Sequence, residues 1–167
     1  FTAQALNLWT DALRDELARE QHGRGFLTLP QAAADAIAAQ AIRTLKSGGH
    51  DPASNVLRLS GPAAAAYGRV RDHYRKYFRA GDSAAAMPAS LYARRSDADL
   101  ESMGDFLLWT AWLSVTPRPG ESTTYTNNWP YAPESGNNLG KGSVLWSAMS
   151  VMALLGALAV IFMAKDW

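Results

Sequence analysis

Three histidines, His22, His50 and His73, are the side chains best suited to holding a metal or moving a proton. Their settings argue against both roles. His22 falls at a helix end, His50 in a turn and His73 on a basic helical face, and none has a second histidine or a carboxylate at the spacing of a His-Glu-x-x-His helix. Each reads as a surface residue. Cysteine is absent, which removes disulfides, thiolate metal sites, a cysteine nucleophile and the Cys-x-x-Cys-His attachment of a c-type haem together. Paired carboxylates occur only on solvated helix faces, and there is no Gly-rich phosphate loop or nucleophile elbow. The long apolar run near the C-terminus offers no histidine for axial haem ligation. These residues therefore predict no catalytic, cofactor-binding or metal-binding site within the chain.

Charge gives one local signal. Sixteen basic and fifteen acidic residues leave a net +1, so the chain as a whole does not read as a nucleic-acid binder. Arg69, Arg71, Arg75, Lys76 and Arg79 against one acid, Asp72, make a local +4 on one helix. Such a stretch fits a favourable end to the helix dipole, or a face near anionic headgroups or a protein partner, better than a phosphate grip.

The elements around these residues are mainly helical. Leu6, Trp9, Leu13 and Leu17 recur at intervals of three and four, predicting a first helix capped by Thr2 and stopped at Gly23 or Gly25. Thr28-Leu29-Pro30 opens a second, with Pro in its first turn and Ile37, Ala41, Ile42 and Leu45 inward; Gly48-Gly49 ends it. A turn at His50-Asp51-Pro52 precedes a short extended arm, 55–59. Ser60 and Pro62 start a third helix to Phe78, with Tyr67, Val70, Tyr74 and Tyr77 or Phe78 inward. Residues 81–90 read as a surface connector. Ser96 and Asp99 have the spacing of a capping box for a fourth helix. Its run through Leu100, Met103, Phe106, Leu107, Leu108, Trp109, Trp112, Leu113 and Val115 reads as the central core helix, too short in its uncharged part to cross a bilayer.

Val144 to Ala164 is different. Its 21 residues carry no charge and make a helix of about 31 Å, close to the thickness of bilayer hydrocarbon. Apolar side chains fall on every face, with Ser147, Ser150 and Gly156 as the small exceptions, and Trp146 and Trp167 near the two ends. The predicted organisation is a helical domain over 1–116, an ordered Pro/Gly/Asn-rich connector over 117–142, a membrane span over 143–165, and the start of the next loop at 166–167. The connector holds Tyr125, Trp129 and Tyr131, and large aromatics in a loop usually bury against something. Trp109, Trp112, Arg118, Tyr125, Asn127, Asn128, Trp129 and Tyr131 are thus the candidates for docking the domain on the membrane part. On that view Trp129→Ala in the intact enzyme loosens the docking, since truncating a buried Trp costs about 3 to 5 kcal/mol.

The run from Asp105-Phe106-Leu107-Leu108-Trp109-Thr110-Ala111-Trp112 through Val115-Thr116-Pro117-Arg118-Pro119-Gly120 into Thr124-Tyr125-Thr126-Asn127-Asn128-Trp129-Pro130-Tyr131 and Gly136-Asn137 resembles the N-terminal region of quinol-dependent nitric oxide reductases, relatives of the haem-copper oxidases. Phe1-Thr2-Ala3 to Trp9-Thr10, Leu29-Pro30 and Asp51-Pro52 resemble the same region in the same order. Ser47-Gly48-Gly49-His50 departs from it, where relatives more often have Thr-Asn and an aromatic. The resemblance implies a haem-free, cytochrome c-like domain on the periplasmic side of the bacterial cytoplasmic (inner) membrane, followed by one transmembrane helix. It implies a non-catalytic part that covers the helices holding haem b, haem b3 and non-haem iron, with quinol and nitric oxide as substrates of the whole enzyme. It also implies that the chain, which starts at Phe1 and ends at Lys165-Asp166-Trp167, is a piece of that enzyme. The alternative from the residues alone is a stand-alone single-span protein that binds a partner through its basic face.

Overall fold

A computed structural model of the chain describes residues 1–51, 53–54 and 56–165, with backbone alone at Lys141. Pro52 of the expected turn, Asn55 at the start of the expected arm, the loop residues 166–167 and the expected anchor Trp167 lie outside the described residues. The chain forms two units, Phe1–Asn137 and Asn138–Trp167.

In the first unit, α1 (Thr2–His22) packs on α2 (Gln31–Lys46), α3 (Gly61–Ala80) and α4 (Asp97–Val115). The stripe Leu6, Trp9, Leu13 and Leu17 is buried as its spacing requires, against Ile37, Ala41 and Leu45 of α2, Val70, Tyr74 and Phe78 of α3, and Leu100, Leu108 and Val115 of α4. Ile42 is half-buried at the edge of that stripe, and so are Tyr67 and Tyr77. Buried aromatic tips find partners: Trp9 Nε1 donates to the Ala63 carbonyl at 3.3 Å, and Tyr74 Oη to Gln4 Oε1 at 3.4 Å. Burial pushes the Tyr74 phenol up to about 12. Tyr67 donates to Asp105 Oδ1 at 2.9 Å, and burial followed by that carboxylate raises its pKa further.

Helix ends follow local chemistry. Gly23 stops α1 in the left-handed conformation, φ 67°, with its N–H on the Arg19 carbonyl. Ser96 and Asp99 form the reciprocal capping box of α4, each bond 3.1 Å. Two expectations are corrected. Thr2 is the first helical residue rather than a cap; Phe1 takes the cap position, and the Thr2 hydroxyl lies 3.1 Å from that of Thr110. Pro30 is the N-cap of α2, one residue before its first turn. Between α2 and α3, β1 (His50–Asp51) pairs antiparallel with β2 (Val56–Leu57). Gly49 precedes the pair at φ 77°, and a Cβ there would run into the Arg58 carbonyl, so the local departure in sequence is also a place where glycine is needed.

The fourth helix differs from a helix buried all round. Gly104, Leu108, Ala111, Trp112 and Val115 face inward, which turns Phe106 (60% exposed) and Trp109 (51%) outward on the opposite side. Period fixes this: with one face taken by the 104-108-111-115 series, residues 106 and 109 cannot share it.

The second unit contains α5 (Lys141–Ala164). Within residues 142–164 the most apolar stretch has a mean hydropathy of 2.2, and none of it is buried. Ser150 returns its hydroxyl to the Trp146 carbonyl at 2.8 Å. At about 1.5 Å per residue the helix reaches about 36 Å, enough to cross a bilayer, and its apolar circumference suits hydrocarbon and not water.

Candidate functional site

Residues 117–137 belong to the helical unit, and one side chain accounts for much of that. Asn137 is fully buried. Its Nδ2 donates to the Ser114 carbonyl at 2.7 Å and the Pro130 carbonyl at 3.3 Å, while its Oδ1 accepts from Lys46 Nζ at 3.3 Å. Its backbone exchanges two 3.0 Å hydrogen bonds with Ala132. Lys46 also donates to the Val115 carbonyl at 3.4 Å, which answers the C-terminus of α4, and burial holds its ammonium below the usual lysine range. The adjoining turn Pro133–Ser135 is fastened to α1 by a 2.6 Å hydroxyl contact between Thr10 and Ser135 and by Arg14 donating to the Glu134 carbonyl at 2.8 Å. Gly136 turns at φ 77°, and a Cβ on it would come within 2.7 Å of Ile42 and Lys46.

The outer half of the loop is built on itself. Arg118 pairs through its backbone with Thr123 and donates its side chain to Asn127 Oδ1 at 3.1 Å and the Tyr125 carbonyl at 3.3 Å. Asn128 accepts from the Thr124 N–H at 3.1 Å, and its own N–H donates to the Thr124 hydroxyl at 2.8 Å. Asn127 and Asn128 both have positive φ, 55° and 62°, a conformation that asparagine tolerates better than most side chains. Thr126 donates to the Trp129 carbonyl, and the Trp129-Pro130 peptide is cis.

The eight docking candidates separate on this frame. Trp109 (51% exposed), Tyr125 (44%), Trp129 (60%) and Tyr131 (63%) are open. Arg118, Asn127 and Asn128 shape the loop. Trp112 is a correction: it is 7% exposed, its Nε1 donates to the Gly48 carbonyl at 2.8 Å, and its ring lies 6.3 Å from that of Tyr125, so it supports the surface from beneath. Trp129 is not buried within the helical unit, so any burial of its ring comes with docking in the intact enzyme. Ring contacts link Trp109 to Phe106 and Tyr125 to Trp112; among the described residues none links Trp129 or Tyr131 to Trp109. Asn137 and Lys46 carry no individual signal in the sequence, since a lone asparagine in an asparagine-rich loop looks like turn chemistry.

The basic helix is not a free patch. Arg69 reaches Glu16 at 2.5 Å and Asp15 at 3.3 Å, Arg75 reaches Asp72 at 3.3 Å, and Arg79 reaches Asp97 at 2.6 Å. The Arg79 hydrogen bond holds the Asp97 carboxyl below the usual carboxylate range. Acids on α1 and α4 thus meet most of the charge counted on α3 alone.

The residues present do not fit a haem or a metal. His22, His50 and His73 sit on three different elements, and among the described residues no three His, Asp or Glu side chains gather where an ion could bind. Covalent haem attachment has no cysteine to use. Over residues 1–131 the sequence matches the family model for the cytochrome c-like domain of NorB, a nitric oxide reductase component. No curated protein matches it.

Proposed function

Because the chain belongs to the NorB family of nitric oxide reductases by its cytochrome c-like domain, we propose that it is the non-catalytic, extracytoplasmic part of a quinol-oxidising nitric oxide reductase. The whole enzyme then carries out 2 NO + QH2 → N2O + H2O + Q. The haem b, haem b3 and non-haem iron that supply this chemistry belong to membrane helices other than α5. The observation that carries the reading is the family match across residues 1–131, joined to a helix able to cross a membrane.

In this reading the domain lies on the periplasmic side of the inner membrane. It covers the iron-bearing helices and docks on the membrane part through Trp109, Arg118, Tyr125, Asn127, Asn128, Trp129 and Tyr131. Three aromatics left open on a loop whose frame is fixed by hydrogen bonds, with Trp109 exposed on α4, support that role, since rigid amphipathic rings are what docking surfaces use. The alternative, a single-span protein binding through α3, loses support from the ion pairs that occupy Arg69, Arg75 and Arg79.

The test is an assay of the detergent-solubilised native protein that contains this segment. Consumption of nitric oxide driven by a quinol, and not by reduced cytochrome c, is expected. Absence of nitric oxide consumption with either donor overturns the reading; activity with cytochrome c alone overturns the quinol part.

A further inference from the structure

We propose that Trp129 and Tyr131 rest in the lipid headgroup layer and anchor the helical domain to the bilayer surface. This rests on the docking reading above and narrows it, by naming lipid as the partner for this part of the surface. Three observations carry it.

The first is connectivity. Asn137 is the last buried residue of the helical unit, and only Asn138, Leu139 and Gly140 separate it from α5, which begins at Lys141. The four steps from Asn137 to Lys141 span at most about 14 Å. Asn137 in turn grips the aromatic pair from both sides, through its side-chain bond to the Pro130 carbonyl and its paired backbone bonds with Ala132. Tyr131 lies between those two residues and Trp129 directly before them, so both rings are tied to the last buried residue before the chain leaves the helical unit.

The second is the state of the polar tips. Trp9, Trp112, Tyr67 and Tyr74 give their N–H or O–H to partners inside the domain. Trp129 and Tyr131 expose 60% and 63% of their surface, and among the described residues neither the indole nor the phenol has a hydrogen-bond partner. An apolar ring with an unspent donor suits the headgroup level, where one end is dry and the other wet.

The third is charge. Arg118 and Lys141 balance Glu121 and Glu134 across 117–142. A neutral segment has no reason to seek anionic lipid, so the anchor acts through its rings and is indifferent to salt.

The chain has no cysteine, so a single one can be introduced and spin-labelled. Tyr131→Cys tests the position and Leu27→Cys, 95% exposed between α1 and α2, gives the aqueous reference. The full 1–167 chain is placed in nanodiscs of zwitterionic phosphatidylcholine doped with a nickel-chelating headgroup lipid, and relaxation is compared with that caused by a water-soluble nickel chelate. The expected result is severalfold stronger relaxation from the lipid-borne nickel at 131 than at 27, unchanged by salt, and lost when Trp129→Ala is added to the Tyr131→Cys protein. Equal aqueous relaxation at both positions, or lipid contact that survives Trp129→Ala, overturns the anchor. Repeating the measurement in the intact reductase separates the two ideas. A label at 131 shielded there from both relaxants overturns lipid contact but keeps docking, while one open to the aqueous chelate in both preparations overturns both.

Discussion

Replacing Asn137 with alanine should release the loop from the helices without unfolding the helices themselves. The substitution removes two donor bonds, to Ser114 and Pro130, and one acceptor for Lys46. Lys46 keeps the Val115 carbonyl, so its ammonium is not stranded. The two carbonyls are left without a donor in a buried site, each worth about 1 to 3 kcal/mol if water cannot reach it. Since the loop can shift to admit water, a total of about 3 kcal/mol is expected, not the sum of the upper values. Hydrogen exchange read by mass spectrometry on the detergent-solubilised chain shows where the loss falls. Amides of 117–137 should exchange faster by about two powers of ten, while those in the middle of α1 and α3 keep their protection. Faster exchange spread evenly over all four helices, or no change in the loop, would refute the idea that one asparagine joins the loop to the helical unit.

Three other outcomes are expected. Ser96→Ala removes the capping box of α4 and should lower unfolding stability by about 1 kcal/mol in a urea titration, with Ser102→Ala, exposed further along the same helix, close to neutral. Trp129→Ala should cost the isolated helical unit under about 1 kcal/mol, because the ring is 60% exposed; a loss of about 3 kcal/mol or more would show it buried after all. Asp97 and Asp99 have carboxyls held below 3.8, by the Arg79 hydrogen bond and by the Ser96 cap respectively. An acid depressed in the folded state adds stability that is complete above its unfolded value and lost as pH falls through the depressed one. The acid limb of a stability profile below 3.8 should therefore flatten in Asp97→Asn, and an unchanged limb would contradict the pairing with Arg79.

How far the sequence discloses this arrangement depends on the range of the interaction. Signals that act within a few residues are legible: the three-and-four stripe of α1, Gly23, the Ser96/Asp99 box and the uninterrupted apolar run of α5 all form as their local chemistry demands. Signals that need a partner far along the chain are not. Arg69 reads as surplus charge until Glu16, 53 positions away, is folded against it. Phe106 and Trp109 read as core because nothing local says that Gly104 and Leu108 have taken the inner face. Residue type alone selects the docking candidates; it finds Trp109, Tyr125, Trp129 and Tyr131, which lie on the surface, but cannot tell them from Trp112, whose indole is claimed by Gly48. Asn137 escapes for the same reason, since its three partners come from α2, α4 and the loop.

The central claim is that this segment of a nitric oxide reductase family protein contributes no redox centre of its own. It is tested most directly by the absorption spectrum of the purified chain, expressed in cells supplied with haem and with its iron content measured alongside. No Soret band and no stoichiometric iron are expected. A Soret band at one haem per chain would contradict it.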